Sequence, residues 1–284
     1  LMSLDLDLFK ELNDSLGHQA GDEALRIVAR RLQSVLPNGA TIARVGGDEF
    51  SIIVPGTSRE RVATTAKWLI DSISEPLELA SSRQAFLGAS IGIAMMPDDA
   101  SSAALLSKRA DLALYEAKKA GRGRCAFFEQ SMEANQSRLY EVETALRLAI
   151  TERRIDIAYQ PIVTASGERV TSVEALARWT DPKLGVVSPA EFIVTAERCG
   201  LIGELGELIL TNACRKAVDW PEVSVAVNIS AVQFQQTDVV ALVERTLQAT
   251  GLPATRLEIE LTETALFGDE EMAANQIKRL RALG

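Results

Sequence analysis

Arg44-Val45-Gly46-Gly47-Asp48-Glu49-Phe50 sets two glycines and two carboxylates between two apolar runs, Thr41 to Val45 and Phe50 to Val54. Apolar runs flanking paired glycines predict a β-hairpin, because glycine takes the positive φ angles of a tight turn without a Cβ clash. A residue without a side chain also lets a ligand's phosphate come close to the backbone. Packing of a hairpin calls for no acids at its tip. Asp48 and Glu49 therefore have two readings at this point, an ordinary charged turn or part of a binding site.

Leu1 to Leu6 predicts a short buried strand closing on Asp5-Leu6-Asp7, and Phe9 to Asp22 a polar loop rich in glycine. Apolar residues at helical spacing predict a helix over 23–36, stopped by Pro37, and further helices over 59–73 and 103–119. Strands are predicted at 86–96 and 124–128. The order β, α, β, β, α, β, α, β implies a sheet covered by helices, an α/β fold.

Asp5-Leu6-Asp7-Leu8-Phe9-Lys10, Asn13-Asp14, Gly17-His18, Gly21-Asp22 and Gly46-Gly47-Asp48-Glu49-Phe50 together resemble a GGDEF domain, the diguanylate cyclase family. The resemblance covers residues 1–129 and implies a nucleotidyl-cyclase palm that joins two GTP into cyclic di-GMP with release of two pyrophosphates. Phosphoryl transfer is mostly positioning and charge neutralisation, which metals held by carboxylates on adjacent strands supply. By resemblance Asp5, Asp48 and the carbonyl of Leu6 hold Mg²⁺, a hard cation that prefers oxygen ligands. Glu49 either positions the metal or the attacking ribose hydroxyl. Asn13 and Asp22 match positions that read the guanine edge; Lys10, Lys118 and Arg122 match phosphate contacts. Lys118 and Arg122 have a second reading, as cations placed in a last helical turn by the helix dipole. His18 is the only histidine and has no cysteine partners, which points to loop packing rather than a metal site. At Pro37-Asn38-Gly39-Ala40 the Arg-x-x-Asp inhibitory site of many family members is absent, as is the N-terminal helix that normally precedes the first strand.

A net charge of -9 argues against a general nucleic-acid or anionic-membrane binder, so any phosphate site has to be local. Cys125, Cys199 and Cys214 are odd in number and unclustered; they are expected to be buried free thiols of a reducing, cytoplasmic compartment. No run approaches the roughly 20 apolar residues of a membrane span, so membrane attachment would come only through segments outside this chain.

Residues 130–153 predict a stiff connecting helix, with Leu139, Val142, Leu146 and Ile150 on one face. Beyond it, strands are predicted at 155–163, 170–176, 223–228 and 257–261, with a turn at Ser166-Gly167, and helices over 189–199, 202–218, 238–250 and 269–283. Repeated βα units suggest a parallel sheet or barrel. Glu174, Asn228 and Glu260 fall at or near predicted strand ends, the rim on which an α/β barrel builds its active site. Three oxygen-bearing side chains there suit Mg²⁺ or Mn²⁺, although strand ends also carry polar residues by chance.

Tyr159-Gln160-Pro161-Ile162, Val173-Glu174-Ala175-Leu176-Ala177-Arg178-Trp179, Pro189-Ala190-Glu191-Phe192-Ile193, Val227-Asn228-Ile229-Ser230 and Glu260-Leu261-Thr262-Glu263 resemble an EAL domain. That family consists of TIM-barrel phosphodiesterases that open cyclic di-GMP to pGpG with two metals. The resemblance makes Glu174, Asn228 and Glu260 metal ligands, Gln160 and Arg178 ligand contacts, and Glu263 a support of an active-site loop. Residues 154–284 would be the first part of the barrel. Both ends of the chain look cut, and this polypeptide alone is expected to lack phosphodiesterase activity. The expected whole is a tandem enzyme of cyclic di-GMP turnover, a homodimer when its cyclase half acts. The alternatives are a phosphodiesterase with a regulatory GTP-binding half, and a non-catalytic cyclic di-GMP receptor.

Overall fold

Met2, Leu4 and Leu6 alternate with Ser3, Asp5 and Asp7 along the first strand, β1 (Met2–Asp7), and all six are buried. Strand pleating sends the two sets to opposite faces of the sheet. In the computed structural model, which describes residues 1–80, 84–164, 167, 169–261 and 270–284, the chain divides into two compact units, Leu1–Gln136 and Ser137–Gly284.

The first unit contains β1, α1 (Phe9–Leu16), α2 (His18–Val35), β2 (Thr41–Gly46), β3 (Glu49–Ile53), α3 (Arg59–Ser74), β4 (Leu77–Glu78), β5 (Gln84–Ala85), β6 (Gly88–Ile93), α4 (Ala103–Lys119) and β7 (Cys125–Phe127). The main sheet runs β2-β3-β1-β6-β7, with β1 antiparallel to both neighbours and β6 parallel to β7. Its apolar face, carrying Met2, Leu4, Leu6, Ile52, Ile91 and Ile93, packs with Leu25, Val28 and Leu32 of α2 and Leu69 and Ile73 of α3. The other face is made shallow by small residues. Gly88, Ser90 and Gly92 of β6 stand opposite Asp7, Asp5 and Ser3, and α4 lies so close that a Cβ at Gly92 would come within 2.0 Å of the Ala110 carbonyl. This face, with acids on β1 and a helix ending beside them, carries the candidate site residues of the first unit.

The 9–22 segment is helical rather than a loop. Phe9 and Leu12 are buried one turn apart in α1, and Gly17, at φ 84, separates α1 from α2. Eight mostly polar residues carry too few apolar positions for the period to show. The small β4–β5 hairpin was likewise not expected.

The last helix of the first unit's sequence, α5 (Gln130–Thr151), extends past Gln136. The second unit continues with β8 (Asp156–Val163), β9 (Val170–Asp181), β10 (Gly185–Val187), α6 (Pro189–Arg198), α7 (Ile202–Ala217), β11 (Ser224–Ile229), α8 (Ala231–Gln236), α9 (Val239–Thr250), β12 (Leu257–Leu261) and α10 (Glu270–Ala282). β9, β11 and β12 run parallel, β8 and β10 pair antiparallel with β9. Val173 and Ala175 pack on α7 and α9, while Ala177 and Trp179 pack with Val142, Leu146 and Phe192. One sheet face is thus covered by helices, as in the wall of an α/β barrel, and the described residues form an open sheet. β9 is longer than predicted because it turns into β10, and α8 was missed as a six-residue helix. The Ser166-Gly167 turn falls partly, and the Glu263 loop wholly, outside the described residues, as does the predicted start of the last helix at Asp269. Of the three unpaired cysteines only Cys214 is buried; Cys125 and Cys199 are partly exposed, which corrects the expectation for both.

Candidate active sites

In the first unit the β1–β3 ladder places Asp5 opposite Glu49, and the Leu6 N–H donates to the Asp48 carbonyl at 3.3 Å. The hairpin tip is thereby folded over the end of β1. Lys118, in the last turn of α4, reaches Asp5 Oδ2 with its Nζ at 2.7 Å. Burial raises the Asp5 carboxyl above its ordinary pKa, Lys118 opposes that rise, and the charges of Asp48 and Glu49 add to it. One ammonium is therefore paired with a carboxylate that two further carboxylates also act on.

The glycines of the hairpin play a different part from the one expected. Neither Gly46 nor Gly47 has a positive φ. The register shifts between Arg44 and Gly46, and Arg44 Nε donates to the Gly47 carbonyl at 2.8 Å, so a bulge and a side-chain bond make the turn. A Cβ on Gly47 would meet nothing within 4 Å, which leaves open space over the backbone at the tip.

Asn13 lies on α1 with its amide against Gly21 of α2; a Cβ at Gly21 would stand 1.9 Å from Asn13 Oδ1. The next residue, Asp22, is exposed and lines a cavity of about 320 Å³ with Arg26, Arg44 and Phe50. The α1–α2 junction thus brings Asn13 and Asp22 together, and the cavity reaches the hairpin. Lys10 is exposed at the start of α1. Arg122 is not in the last turn of α4, as expected, but beyond it, at φ 59 between two glycines of positive φ. The helix-dipole reading therefore does not fit Arg122, and Lys118 is tied to Asp5 by direct contact. Two functional candidates went unnoticed in the sequence, Asp7 and Arg44. The alternation of buried strand residues with acids in Asp5-Leu6-Asp7 was the available signal for the first.

In the second unit strand register does the gathering. Gln160 pairs with Glu174 across β8 and β9, Glu174 with Ala226 across β9 and β11, and Asn228 with Glu260 across β11 and β12. Paired residues and those two apart share a face, so Gln160, Glu174, Asn228, Glu260 and Arg178 line the face away from the helices. Asn228 Nδ2 donates to Glu174 Oε1 at 2.7 Å. Burial, then Glu174 and Glu258, raise the Glu260 carboxyl. Arg178 is exposed, and its Nη1 donates to the Ala177 carbonyl at 2.9 Å. Asn228 and Glu260 are next to last in their strands, but Glu174 is mid-strand in β9, a correction that follows from the extension into β10.

Both donor sets fit a hard divalent cation. Each gathers carboxylates, one of them raised by burial first and by its acidic neighbours second, and each offers a neutral oxygen, the Leu6 carbonyl in one and the Asn228 amide in the other. Among the described residues no group of three or more carboxylate, imidazole or thiolate side chains is by itself placed to hold a metal ion, so each set depends on its neutral oxygen. Nor is any helix among them long and apolar enough to cross a membrane.

Comparison with known proteins likewise assigns the two parts of the chain to separate families. Residues 1–124 match the family described as diguanylate cyclase, GGDEF domain, and residues 143–284 the EAL domain family. The chain is 37% identical, over its whole length, to a bifunctional diguanylate cyclase/cyclic di-GMP phosphodiesterase of Pseudomonas aeruginosa, of which it covers 42%. It is 34% identical over 99% of its length to a cyclic di-GMP phosphodiesterase of Escherichia coli, covering 43% of that protein. A signaling protein of Caulobacter vibrioides is 39% identical over the whole chain, which covers 35% of it. The chain thus spans less than half the length of these relatives. Among solved structures, the S helix-GGDEF-EAL portion of LapD from Vibrio cholerae, bound to c-di-GMP, aligns over 100% of this chain and 68% of its own with a TM-score of 0.59 at 19% identity, a likeness of fold. The first unit thus matches the GGDEF family and the second the EAL family, and the chain belongs to the GGDEF–EAL tandem family.

Proposed function

We propose that the first unit binds GTP with Mg²⁺ and, in a homodimer that brings two loaded sites face to face, condenses two GTP to cyclic di-GMP. The observation that carries this reading is the gathering of Asp5, Asp48, Glu49 and Lys118 at one end of β1. Asp5, Asp48 and the Leu6 carbonyl would hold the ion, which when bound neutralises phosphate charge. Asn13 and Asp22 hold the guanine edge, and Lys10, Lys118 and Arg122 hold the phosphates. Lys118 exchanges part of its ion pair with Asp5 for the triphosphate, while Glu49 supports the ion or orients the attacking ribose hydroxyl.

The second unit takes cyclic di-GMP on its polar sheet face and, in the whole protein, opens it to pGpG. Glu174, Asn228 and Glu260 would hold Mg²⁺ or Mn²⁺ there; the 2.7 Å bond from Asn228 Nδ2 to Glu174 leaves the amide oxygen available. Gln160 and Arg178 grip the ligand, the guanidinium fork matching a phosphate. The unpaired thiols suit a cytoplasmic location for both units. A second reading, a phosphodiesterase whose GGDEF half binds GTP only to regulate, is favoured by the match of both halves to a relative named for phosphodiesterase activity alone.

Incubating the whole protein with Mg²⁺ and either GTP or cyclic di-GMP separates these readings. Cyclic di-GMP formed from GTP, and lost in Asp48→Ala, supports the cyclase; GTP that is bound but unconverted supports the regulatory reading. Unchanged turnover in both Asp48→Ala and Glu174→Ala would refute the site assignments.

A further inference from the structure

Asp7 is a buried carboxylate to which the functional reading above gives no role. It is 6% exposed, two residues along β1 from Asp5 and on the same sheet face. Asp5 meets the end of α4 through Lys118, and Asp7 meets the segment that follows it. The Gly123 N–H donates to Asp7 Oδ2 at 3.0 Å, and the Ser90 hydroxyl lies 2.9 and 3.1 Å from the two carboxylate oxygens. Its cross-strand partner is Gly88, where a Cβ would stand 3.1 Å from Asp7 Oδ2, a close approach that would press on the carboxylate. The segment so held is Gly121, Arg122 and Gly123, with φ of 115, 59 and 60. An arginine in the left-handed region stays there because its surroundings hold it. On one side the Arg122 N–H donates to the Ala117 carbonyl at 3.2 Å, a tie to α4. On the other side Asp7 ties Gly123 to β1, and one residue on, the Ile91 N–H of β6 donates to the Arg124 carbonyl at 2.9 Å.

We infer that Asp7 is a positioning residue for the triphosphate, fastening the Gly121–Gly123 loop to β1 so that Arg122 stands at a fixed place relative to Asp5 and Lys118. The inference rests on the GTP reading of the first unit. Geometry rather than charge is what Asp7 supplies: an asparagine, with its amide oxygen toward Gly123 and its NH₂ toward the Ser90 oxygen, keeps both contacts, whereas alanine keeps neither.

The test is calorimetric binding of the Mg²⁺ complex of the α,β-methylene analogue of GTP, and of guanosine, to the whole protein and to Asp7→Ala and Asp7→Asn, each with and without Arg122→Ala. Asp7→Ala is expected to weaken the triphosphate analogue about tenfold, to leave guanosine unchanged, and to have no added effect in the Arg122→Ala background. Asp7→Asn is expected to restore most of the loss. Equal weakening of guanosine, failure of Asp7→Asn to rescue, or additivity with Arg122→Ala would overturn the inference. A wild-type protein that binds neither ligand would instead remove the GTP reading on which it stands. Should Asp7→Ala not fold, hydrogen exchange at the Gly123 amide of the wild-type protein decides: protection supports the tie, and rapid exchange refutes it.

Discussion

The two sites are built from the same kind of side chain and compensated differently. In the first unit a hairpin and a cross-strand pair bring Asp48 and Glu49 to Asp5, and the chain answers with its own cation, Lys118, at 2.7 Å. In the second unit Glu174 and Glu260 share a face through parallel register, and no salt bridge reaches either among the described residues; an amide, Asn228, is what lies between them. The difference shows what each scaffold can supply. An antiparallel sheet with a helix ending over it can aim a lysine into the site, whereas neighbouring parallel strands offer only their own side-chain rows. The first site is partly neutralised by direct contact before any ligand arrives, whereas in the second the one cation on the face, Arg178, makes no ion pair with Glu174 or Glu260 among the described residues.

The largest expected effect breaks the comparison at its chemistry. In the whole protein Asp48→Ala should lower cyclic di-GMP synthesis, and Glu174→Ala its hydrolysis, each by about 10²-fold or more, with the other activity kept; product analysis by chromatography reads both. Next come the close approaches that hold each scaffold. Gly92→Ala drives a Cβ to 2.0 Å from the Ala110 carbonyl and 2.1 Å from the Leu114 nitrogen, both backbone, and should cost about 1–3 kcal/mol in urea unfolding. Gly206→Ala in the second unit meets only the end of the Gln233 side chain, at 2.3 Å, and should cost less because a side chain can turn aside.

A pH effect of similar or smaller size sets the two kinds of acid apart. Burial pushes Asp181 up, but the N–H groups of Lys183 and Leu184, at 2.8 and 3.0 Å, together with the charges of Arg154 and Lys183 outweigh it and hold the carboxyl below its ordinary range. A lowered carboxyl stabilises fully above its unfolded pKa and loses that contribution as pH falls through its folded one. Asp181→Ala should therefore cost about 1–3 kcal/mol at neutral pH, and the difference from wild type should shrink in acid. Glu260 has the opposite sign. Its raised carboxyl opposes folding at neutral pH and is relieved as pH falls through its raised value. Glu258→Gln removes one of its repelling neighbours and should stabilise the second unit by about 0.2–1 kcal/mol, with the Glu260 titration moving down by NMR.

Much of this was legible along the chain. The β2–β3 hairpin, α4 and β12 follow from local apolar period and turn residues, and the acids that matter stand at fixed offsets from those elements. The α1 and α2 start was not legible, because Phe9 and Leu12 acquire meaning only against the sheet. Local pattern puts Arg122 in a helix that ends before it, since nothing local reports the tie between Asp7 and Gly123 across most of the first unit. The paired glycines predict positive φ, but the bulge and the Arg44 bond make the turn without it.

Sequence by itself determined the periodic elements, the two families and the residue types at each site, because those depend on side-chain pattern and on motifs a few residues long. Only tertiary structure decided which charges meet. The Lys118–Asp5 pair, the raised carboxyls of Asp5 and Glu260, and the hold of Asp7 on Gly123 depend on strand register and helix approach, and electrostatic energy follows distance in space rather than distance along the chain.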